Sequence, residues 1–131
     1  MNVDQIMSGH PVWVKPETDV VSAALRMSEH GFGALPVCDR GQLVGIVTDR
    51  DIVVRYFGRG ANEGRLVAHY MTRDPVTIEP EQPLEQAEQL MSEHHIRRIP
   101  VCKEGRLVGM IAQGDLARYT SRDRHEQLAS V

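Results

Sequence analysis

Apolar and polar residues follow two distinct patterns along this chain. A β-branched apolar run from Leu43 to Val47 gives way at Thr48 to an apolar-periodic segment. This change of period predicts a buried strand that turns directly into a helix. The same pattern returns 64 residues later, from Leu107 to Ile111. We expect the function of the protein to depend on these two copies.

An internal repeat explains the recurrence. With one offset of 64 residues and no gap, 18 of the 46 positions between 7 and 52 match their counterparts. Unrelated segments of this length would share about three identities, so the segment is duplicated. Two copies are too few for a solenoid, and we interpret them as a pair related by a pseudo-twofold axis around a shared core.

Each copy is predicted to form a β-α-β-β-α unit, which makes the fold class α+β with the units packed through their sheets. In the first copy a strand is predicted at 12–14, followed by a helix that begins at the N-cap Thr18 and ends at His30-Gly31. Two strands follow at 35–38 and 43–47, joined by a turn at 39–41, and a second helix begins after Thr48. The apolar face of the first helix carries Val20, Ala23, Ala24 and Met27, matched by Leu84, Ala87 and Met91. In the second copy Pro83 is predicted at the first helical position.

The predicted organisation is one module over residues 1–131. Repeat one covers about 3–58, a glycine-containing loop 59–65, repeat two about 66–120, and a polar tail 121–131.

Composition narrows the class of protein. The net charge of −3 and a pI near 6.0 argue against a nucleic-acid binder, which would carry a basic face. No apolar run approaches the length of a membrane span, and the N-terminal residues lack the pattern of a signal peptide. Two cysteines do not make a disulfide framework. A cytoplasmic location is expected.

Thr48 and Asp51 lie at the predicted start of a helix and allow two interpretations. They can cap the helix, with Thr48 at the N-cap and Asp51 three residues later. They can also bind a ligand, because a helix start attracts phosphate and a carboxylate accepts hydrogen bonds from the two hydroxyls of a ribose. In the second copy Ala112 has no hydroxyl, yet Asp115 is retained. A retained aspartate without its capping partner favours the ligand interpretation, although the helix dipole also stabilises an acidic residue there.

The remaining candidates are interpreted as structural. The six histidines lack metal-ligand spacing, so no metal site is predicted. Cys38 and Cys102 are expected to be small buried hydrophobes, with a redox-sensitive pair as the alternative. Trp13 is predicted to cover the core, with contact to a ligand ring as the alternative.

These motifs together resemble a known family. The strand followed by Thr48-x-x-Asp51, the strands Leu35-Pro36-Val37 and Ile99-Pro100-Val101, and the tandem second copy are similar to a CBS-domain pair, also known as a Bateman module. The likeness covers about residues 3 to 120. It is closest to the small stand-alone members of the family.

The resemblance implies two ligand clefts between the repeats, each combining residues of both. The implied first cleft contains Thr48, Arg50, Asp51, Asp74, Val76, Arg98 and Ile99. The implied second cleft contains Asp115, His10, Val12, Ala34 and Leu35. We expect the first cleft to bind more tightly, because it has the hydroxyl and more arginines for phosphate. Arg97 and Arg98 are neighbours on a strand and point to opposite faces, so only Arg98 is assigned to the cleft, with a surface salt bridge left open for either.

The implied function is regulatory rather than enzymatic. The ligand would be an adenosine nucleotide such as AMP, ADP or ATP, with NAD or S-adenosylmethionine also compatible, and no cofactor is required. The resemblance further implies a homodimer that acts on an unidentified protein partner, with no membrane or nucleic acid involved. The alternative is a structural or partner-binding scaffold with vestigial clefts, which the loss of the hydroxyl at Ala112 favours. An enzyme is disfavoured because the sequence offers no paired acid and base, activated nucleophile or phosphate-binding glycine loop.

Overall fold

The computed structural model describes residues 1–119. The predicted tail at 121–131, and with it His125, lies outside this range. The helices are α1 (Val20–His30), a π-helix (Asp51–Phe57), α2 (Leu84–His94) and α3 (residues 113–119). The strands are β1 (Ala34–Asp39), β2 (Gln42–Thr48), β3 (Thr72–Arg73), β4 (Arg98–Lys103) and β5 (Arg106–Ala112). Short 3₁₀ turns occur at Val3–Gln5 and Val67–His69.

The chain divides into two compact units whose boundaries do not coincide with the ends of the repeats. The repeat-one unit contains Val12–Pro75 and Gly105–Leu107. The repeat-two unit contains Met1–Pro11, Val76–Glu104 and the described residues from Val108 onward. The first eleven residues of the chain therefore pack with the second repeat.

The sheet of the repeat-one unit is built on a tight hairpin. β1 and β2 are antiparallel, with Ala34 opposite Thr48, and a two-residue turn joins them. That turn places Arg40 and Gly41 at φ angles of 53° and 82°, the left-handed values that a two-residue hairpin with right-handed twist requires. The predicted turn at 39–41 is confirmed.

One face of this hairpin carries the core. Leu35 and Val37 of β1 are fully buried and belong to one apolar cluster. Because side chains alternate along a strand, these two define a single face of the sheet. Both helices of the unit contribute to that same cluster: α1 supplies Val20, Ala23 and Met27, and the π-helix supplies Ile52 and Tyr56. The predicted buried face of α1 is thereby confirmed for these three residues, while Ala24 lies at its margin.

The segment that leads into repeat two completes the repeat-one unit. Val67 is fully buried in the repeat-one core, and β3 pairs with β2 opposite Gly45 and Ile46. A Cβ atom at Gly45 would lie 2.8 Å from the Thr72 carbonyl oxygen, so the approach of this segment requires a glycine.

The repeat-two unit is completed in the same way by the start of the chain. Val3 is fully buried in its core, and Ser8 forms a bridge with Met110 of β5, the position equivalent to Ile46. A Cβ atom at Gly109 would lie 2.9 Å from the Ser8 carbonyl oxygen. Each unit therefore contains the short segment that begins the other repeat. We call these two lead-in segments, residues 3–8 and 67–73, the exchanged segments.

The predicted first strands are reduced to single bridges. Among the described residues, segment 12–14 forms no continuous strand and contributes one parallel bridge, Val14 with Val37. The equivalent bridge joins Ile78 to Val101. The strand prediction was wrong beyond these single pairs, since segment 12–14 adds one parallel bridge beside β1 and no ladder.

Two predicted helix starts differ by one residue. Asp19, not Thr18, is the N-cap of α1, and its carboxylate accepts a hydrogen bond of 2.8 Å from the Val21 N–H. The Thr18 hydroxyl instead accepts from the Lys15 N–H and closes the preceding turn. Pro83 occupies the N-cap position and Leu84 begins α2. The predicted end of α1 is confirmed, with Gly31 as a left-handed C-cap, and His95 takes the equivalent position after α2.

Trp13 was predicted in the core, and that prediction was wrong. Its side chain is 42% exposed. Its backbone carbonyl accepts a hydrogen bond from Arg26 of α1. The position alternates with the buried Val14, so its side chain points away from the core.

Candidate functional site

In each repeat, the strand that ends the hairpin turns directly into a helix, at residues 48–51 and 112–115; we call these two turns the corners. In the corner of repeat one, Thr48 and Asp51 cap each other. The Thr48 N–H donates to Asp51 Oδ2 at 3.0 Å, and the Asp51 N–H donates to the Thr48 hydroxyl at 3.0 Å. The Arg50 N–H donates to the Asp49 carboxylate. The backbone N–H groups of Thr48, Arg50 and Asp51 are therefore all bonded to neighbouring side chains, and the predicted capping pair is confirmed.

The second oxygen of Asp51 points toward a cation. Asp51 Oδ1 lies 3.9 Å from Arg55 Nη1, one turn further along the helix, and the Asp51 side chain is 13% exposed. The same Arg55 nitrogen donates to the Tyr70 carbonyl oxygen at 2.9 Å. Arg55 therefore links the corner to the exchanged segment of its own unit.

The corner of repeat two keeps half of this arrangement. The Ala112 N–H donates to Asp115 Oδ2 at 3.0 Å, the equivalent of the Thr48 bond. Ala112 offers no hydroxyl, so residue 112 cannot cap the Asp115 N–H in return. Asp115 thus retains a capping role without a hydroxyl partner, which corrects the argument that capping explains this aspartate poorly.

Two arginines surround Asp115. Arg118 on α3 donates to Asp115 Oδ1 and is itself 73% exposed, so it forms the outer wall of the corner. Arg98 at the start of β4 is half-buried; burial lowers its pKa, and the charge of Asp115 opposes that shift. The resemblance assigns Arg98 and Asp115 to different clefts, whereas within the repeat-two unit they interact electrostatically.

A cavity of about 250 Å³ adjoins this corner. It is lined by Gln5, Ile6, Asp115, Arg118 and Tyr119, all in the repeat-two unit. The sequence did not indicate Arg118 or Tyr119, although Arg118 is one helical turn from Asp115.

The other residues of the implied clefts contribute unequally. Leu35 and Ile99 are fully buried in their respective cores, so only their backbone groups can meet a ligand. Val12 and Val76 are half-buried against the same two cores. Asp74 is exposed with a φ of 49°, just before Pro75, and His10 and Arg50 are exposed. The set containing Asp51 has Thr48, Arg50 and Asp74 in the repeat-one unit, with Val76, Arg98 and Ile99 in the repeat-two unit.

The alternation of Arg97 and Arg98 follows the prediction. Arg97 is exposed and Arg98 is half-buried, as expected for neighbours on one strand. The Arg97 carbonyl oxygen accepts from the Gln113 N–H at 2.7 Å, which holds the start of β4 against the corner.

The described histidines and both cysteines offer no metal centre. Within residues 1–119, no group of three or more His, Cys, Asp or Glu side chains is arranged to hold a metal ion. Cys38 and Cys102 are buried, as predicted, and neither forms a disulfide. Burial raises the pKa of the Cys102 thiol, which makes it less reactive. Over the same residues, no helix has the length and apolar character needed to cross a membrane.

The structure is that of a protein with two copies of one α+β repeat: each copy has the same hairpin, an exchanged segment and an aspartate at its corner. The chain belongs to the CBS-domain family. The family model for the CBS domain matches it twice, at residues 3–58 and 67–122. A curated relative, CBS domain-containing protein YhcV of Bacillus subtilis, is 39% identical over 116 residues, which is 88% of this chain and 83% of the relative.

Solved structures of the family have the same fold. The structure of CBSX2 in complex with AMP has a TM-score of 0.85 and 29% identity, covering 94% of this chain and 98% of its own. The CBS domain pair of protein MJ0100, in complex with 5-methylthioadenosine and S-adenosyl-L-methionine, has a TM-score of 0.84 and 26% identity, covering 94% and 98%. The predicted α+β class with two repeats is confirmed.

Proposed function

We propose that this chain is a regulatory module that binds an adenosine-containing nucleotide of the AMP, ADP or ATP class at its aspartate corners. NAD and S-adenosylmethionine carry the same adenosine group and belong to the set of ligands to test. The proposal assigns no catalytic step and no cofactor to the chain.

The observation that carries the proposal is the way both aspartates are held. In each repeat, Oδ2 is fixed by the backbone N–H three residues earlier, so the carboxylate has one orientation. Oδ1 then faces an arginine on the next helical turn. The side chains of Asp51 and Asp115 are still 13% and 16% exposed. A fixed carboxylate with one oxygen near solvent suits the hydroxyl pair of a ribose, and the adjacent guanidinium suits a phosphate.

Two comparisons support this ligand class. CBSX2, which is 29% identical to this chain, was solved with AMP, and the MJ0100 pair with two adenosine compounds. We propose Thr48, Arg50, Asp51, Asp74, Val76, Arg98 and Ile99 for one site. For the second site we propose Asp115, His10, Val12, Ala34 and Leu35, with Arg118 added by its contact to Asp115.

A scaffold without a nucleotide is the second candidate. It is favoured by the first corner, where the N–H groups of Arg50 and Asp51 are already bonded to neighbouring side chains. A phosphate would find neither donor available there, so the arginines alone would have to bind it.

We further propose that the module acts as a homodimer on a regulated protein in the cytoplasm. A regulatory protein of this kind exerts its effect through a partner.

Calorimetric titration with AMP, ATP, NAD and S-adenosylmethionine tests the nucleotide proposal. We expect at least one of them to bind the wild type, and Asp51→Ala or Asp115→Ala to weaken that binding by about tenfold to a hundredfold, because charge-assisted hydrogen bonds are lost. The matched control is Asp19→Ala, which also removes a helix-capping aspartate but lies in neither proposed site.

The outcomes separate the candidates. Loss of binding in Asp51→Ala or Asp115→Ala but not in Asp19→Ala supports the nucleotide site and shows which repeat carries it. An equal loss in Asp19→Ala would trace the effect to helix stability. Failure of all four ligands to bind the wild type would favour the scaffold.

A further inference from the structure

Met7 is a methionine that is packed on a core and still reached by solvent. The chain has six methionines. Four of them are at most 6% exposed: Met27, Met71, Met91 and Met110. Met1 is 56% exposed, whereas Met7 is half-buried against the repeat-two core. A methionine thioether is readily oxidised to the sulfoxide where an oxidant can reach it. Met7 therefore combines access to solvent with a structural contact.

The sulfur of Met7 lies over a glycine of the hairpin. A Cβ atom built at Gly109 of β5 would overlap Met7 Sδ, and one built at the equivalent Gly45 of β2 would lie 2.7 Å from Met71 Sδ. In both repeats the thioether thus fills the space that a side chain of the strand would take. Oxidation makes this apolar group polar, and a polar oxygen held in a close-packed apolar contact without a hydrogen bond costs free energy.

The two exchanged segments are held unequally. In the second, residues 67–73, Tyr70 and Met71 are buried, and β3 pairs with β2 over two residues. In the first, residues 3–8, the equivalent Ile6 and Met7 are only half-buried. Within residues 1–119, this first segment pairs with β5 through one bridge, at Ser8. The first exchanged segment therefore depends more on the packing of its methionine than the second does.

Met7 directly precedes the bridge to β5. The Ser8 N–H donates to the Met110 carbonyl oxygen at 2.9 Å, and the Met110 N–H donates to the Ser8 carbonyl oxygen at 3.0 Å. On the other side of Met7 along the chain, Val3 is fully buried in the repeat-two core. Because Met7 lies between these two attachments, a shift of its side chain away from Gly109 strains both.

The first exchanged segment also lines the cavity beside Asp115. Gln5 and Ile6 are two of the five residues that line this cavity. If the segment leaves the unit, the cavity loses both of them. The effect on a bound ligand rests on the proposed function, whereas the movement of the segment does not.

We propose that Met7 is a site of reversible oxidation whose sulfoxide releases the first exchanged segment from the repeat-two unit. Hydrogen peroxide is the oxidant. Its O–O bond breaks, one oxygen forms a bond to the Met7 sulfur, and the other leaves as water. The sulfur loses two electrons, which the peroxide accepts. A methionine sulfoxide reductase, with a dithiol as the electron donor, restores the thioether and releases the oxygen as water.

A time course with hydrogen peroxide, followed by peptide mass analysis of the full chain, tests the site. We expect Met7 to be oxidised about tenfold faster than the buried Met71, because accessibility sets the rate of the reaction. Met1 is the internal standard for an exposed thioether. Oxidation of Met7 at the same rate as Met71 would overturn the proposal.

Hydrogen exchange of the oxidised chain tests the release. In peptides that contain Ser8 and Met110, we expect amide exchange roughly tenfold faster after oxidation, since exchange reports local opening. The equivalent pair in repeat one, Thr72 and Ile46, should be unchanged. Unchanged exchange at Ser8 and Met110 would overturn the proposal.

Two leucine variants are the matched controls, because leucine has a similar volume and no sulfur to oxidise. Met7→Leu treated with peroxide should keep the slow exchange of the untreated chain. Met71→Leu should respond as the wild type does. An equal increase in exchange in oxidised Met7→Leu would assign the effect to another residue and overturn the proposal.

Calorimetric titration with AMP separates this proposal from the proposed function. If AMP binds at the Asp115 corner, we expect oxidation to weaken that binding by about tenfold in the wild type and to leave it unchanged in Met7→Leu. Failure of AMP, ATP, NAD and S-adenosylmethionine to bind the untreated chain would reject the nucleotide site, and the exchange measurement would still decide the role of Met7.

Discussion

The corners of the two repeats hold an equivalent aspartate in different ways. In repeat one, Asp51 and Thr48 bond to each other in both directions, so the corner is closed by its own side chains. In repeat two, Asp115 keeps the bond from the backbone of residue 112 but is surrounded by Arg98 and Arg118 and adjoins a cavity. Both corners share the hydrogen bond from the backbone N–H of residue 48 or 112 to the aspartate three residues later. The hydroxyl and the arginines are what distinguish one corner from the other.

This difference changes the interpretation of which corner is better suited to a charged ligand. The sequence favours the first because of its hydroxyl and its arginines. In the structure, Asp115 of the second corner contacts Arg118 and interacts electrostatically with Arg98, and residue 112 offers no hydroxyl to the Asp115 N–H. The comparison can be tested at the positions where the repeats agree and at those where they differ.

The largest effect is expected where the repeats agree. Gly45→Ala and Gly109→Ala each place a Cβ atom within 2.8 or 2.9 Å of a backbone carbonyl oxygen of the exchanged segment. We expect each to lower the free energy of unfolding by about 2–3 kcal/mol, because the segment must shift to make room. Urea denaturation measures this loss. Gly9→Ala, which has no atom within 4 Å of the new Cβ, is the control and should be nearly neutral. Sensitivity in only one repeat would contradict the equivalence of the two exchanged segments.

An intermediate effect is expected where the corners differ. Thr48→Ala removes the hydroxyl that accepts from the Asp51 N–H and makes the first corner like the second. We expect a loss of about 1 kcal/mol in the free energy of unfolding, and a gain of similar size or smaller for Ala112→Thr. Thr77→Ala, at an exposed position outside both corners, serves as the control. Denaturant titration of the three variants measures the changes, and a neutral Thr48→Ala would mean that the hydroxyl does not stabilise the helix start.

The smallest effect is expected at the helix C-caps. Gly31 and His95 occupy equivalent left-handed positions with φ of 69° and 54°, and only glycine adopts such angles without steric cost. His95→Gly should therefore raise the free energy of unfolding by roughly 0.5 kcal/mol. His94→Gly, one residue earlier in regular helix, should lower it by about 1 kcal/mol. A thermal shift of the same sign in both variants would contradict this account.

Local patterns were sufficient to predict much of each repeat. The hairpin strands, the turn at 39–41, the buried face of α1, the buried cysteines and the capping pair at Thr48 and Asp51 all depend on residues within a few positions of each other. Period, turn chemistry and capping rules act over that distance, so the sequence reveals them directly.

The errors arose where distant segments meet. The segment at 12–14 has the pattern of a strand and does bridge its own repeat at Val14, but no local signal indicates that the residues before it pack in the other unit. The proximity of Arg98 to Asp115 could have been found, because the hairpin register places residue 34 opposite residue 48, and the duplication transfers this to positions 98 and 112.

The reciprocal exchange of lead-in segments also bears on how such a chain could have arisen. A protein with one copy of this repeat would lack the buried valine and the edge pairing that come from the other copy, and it could obtain them only from a second molecule. Two such molecules would each donate their first residues to the other. Duplication and fusion of the gene would then join that assembly into one chain, leaving Val3 and Val67 as the covalent remnant of an ancestral exchange between subunits.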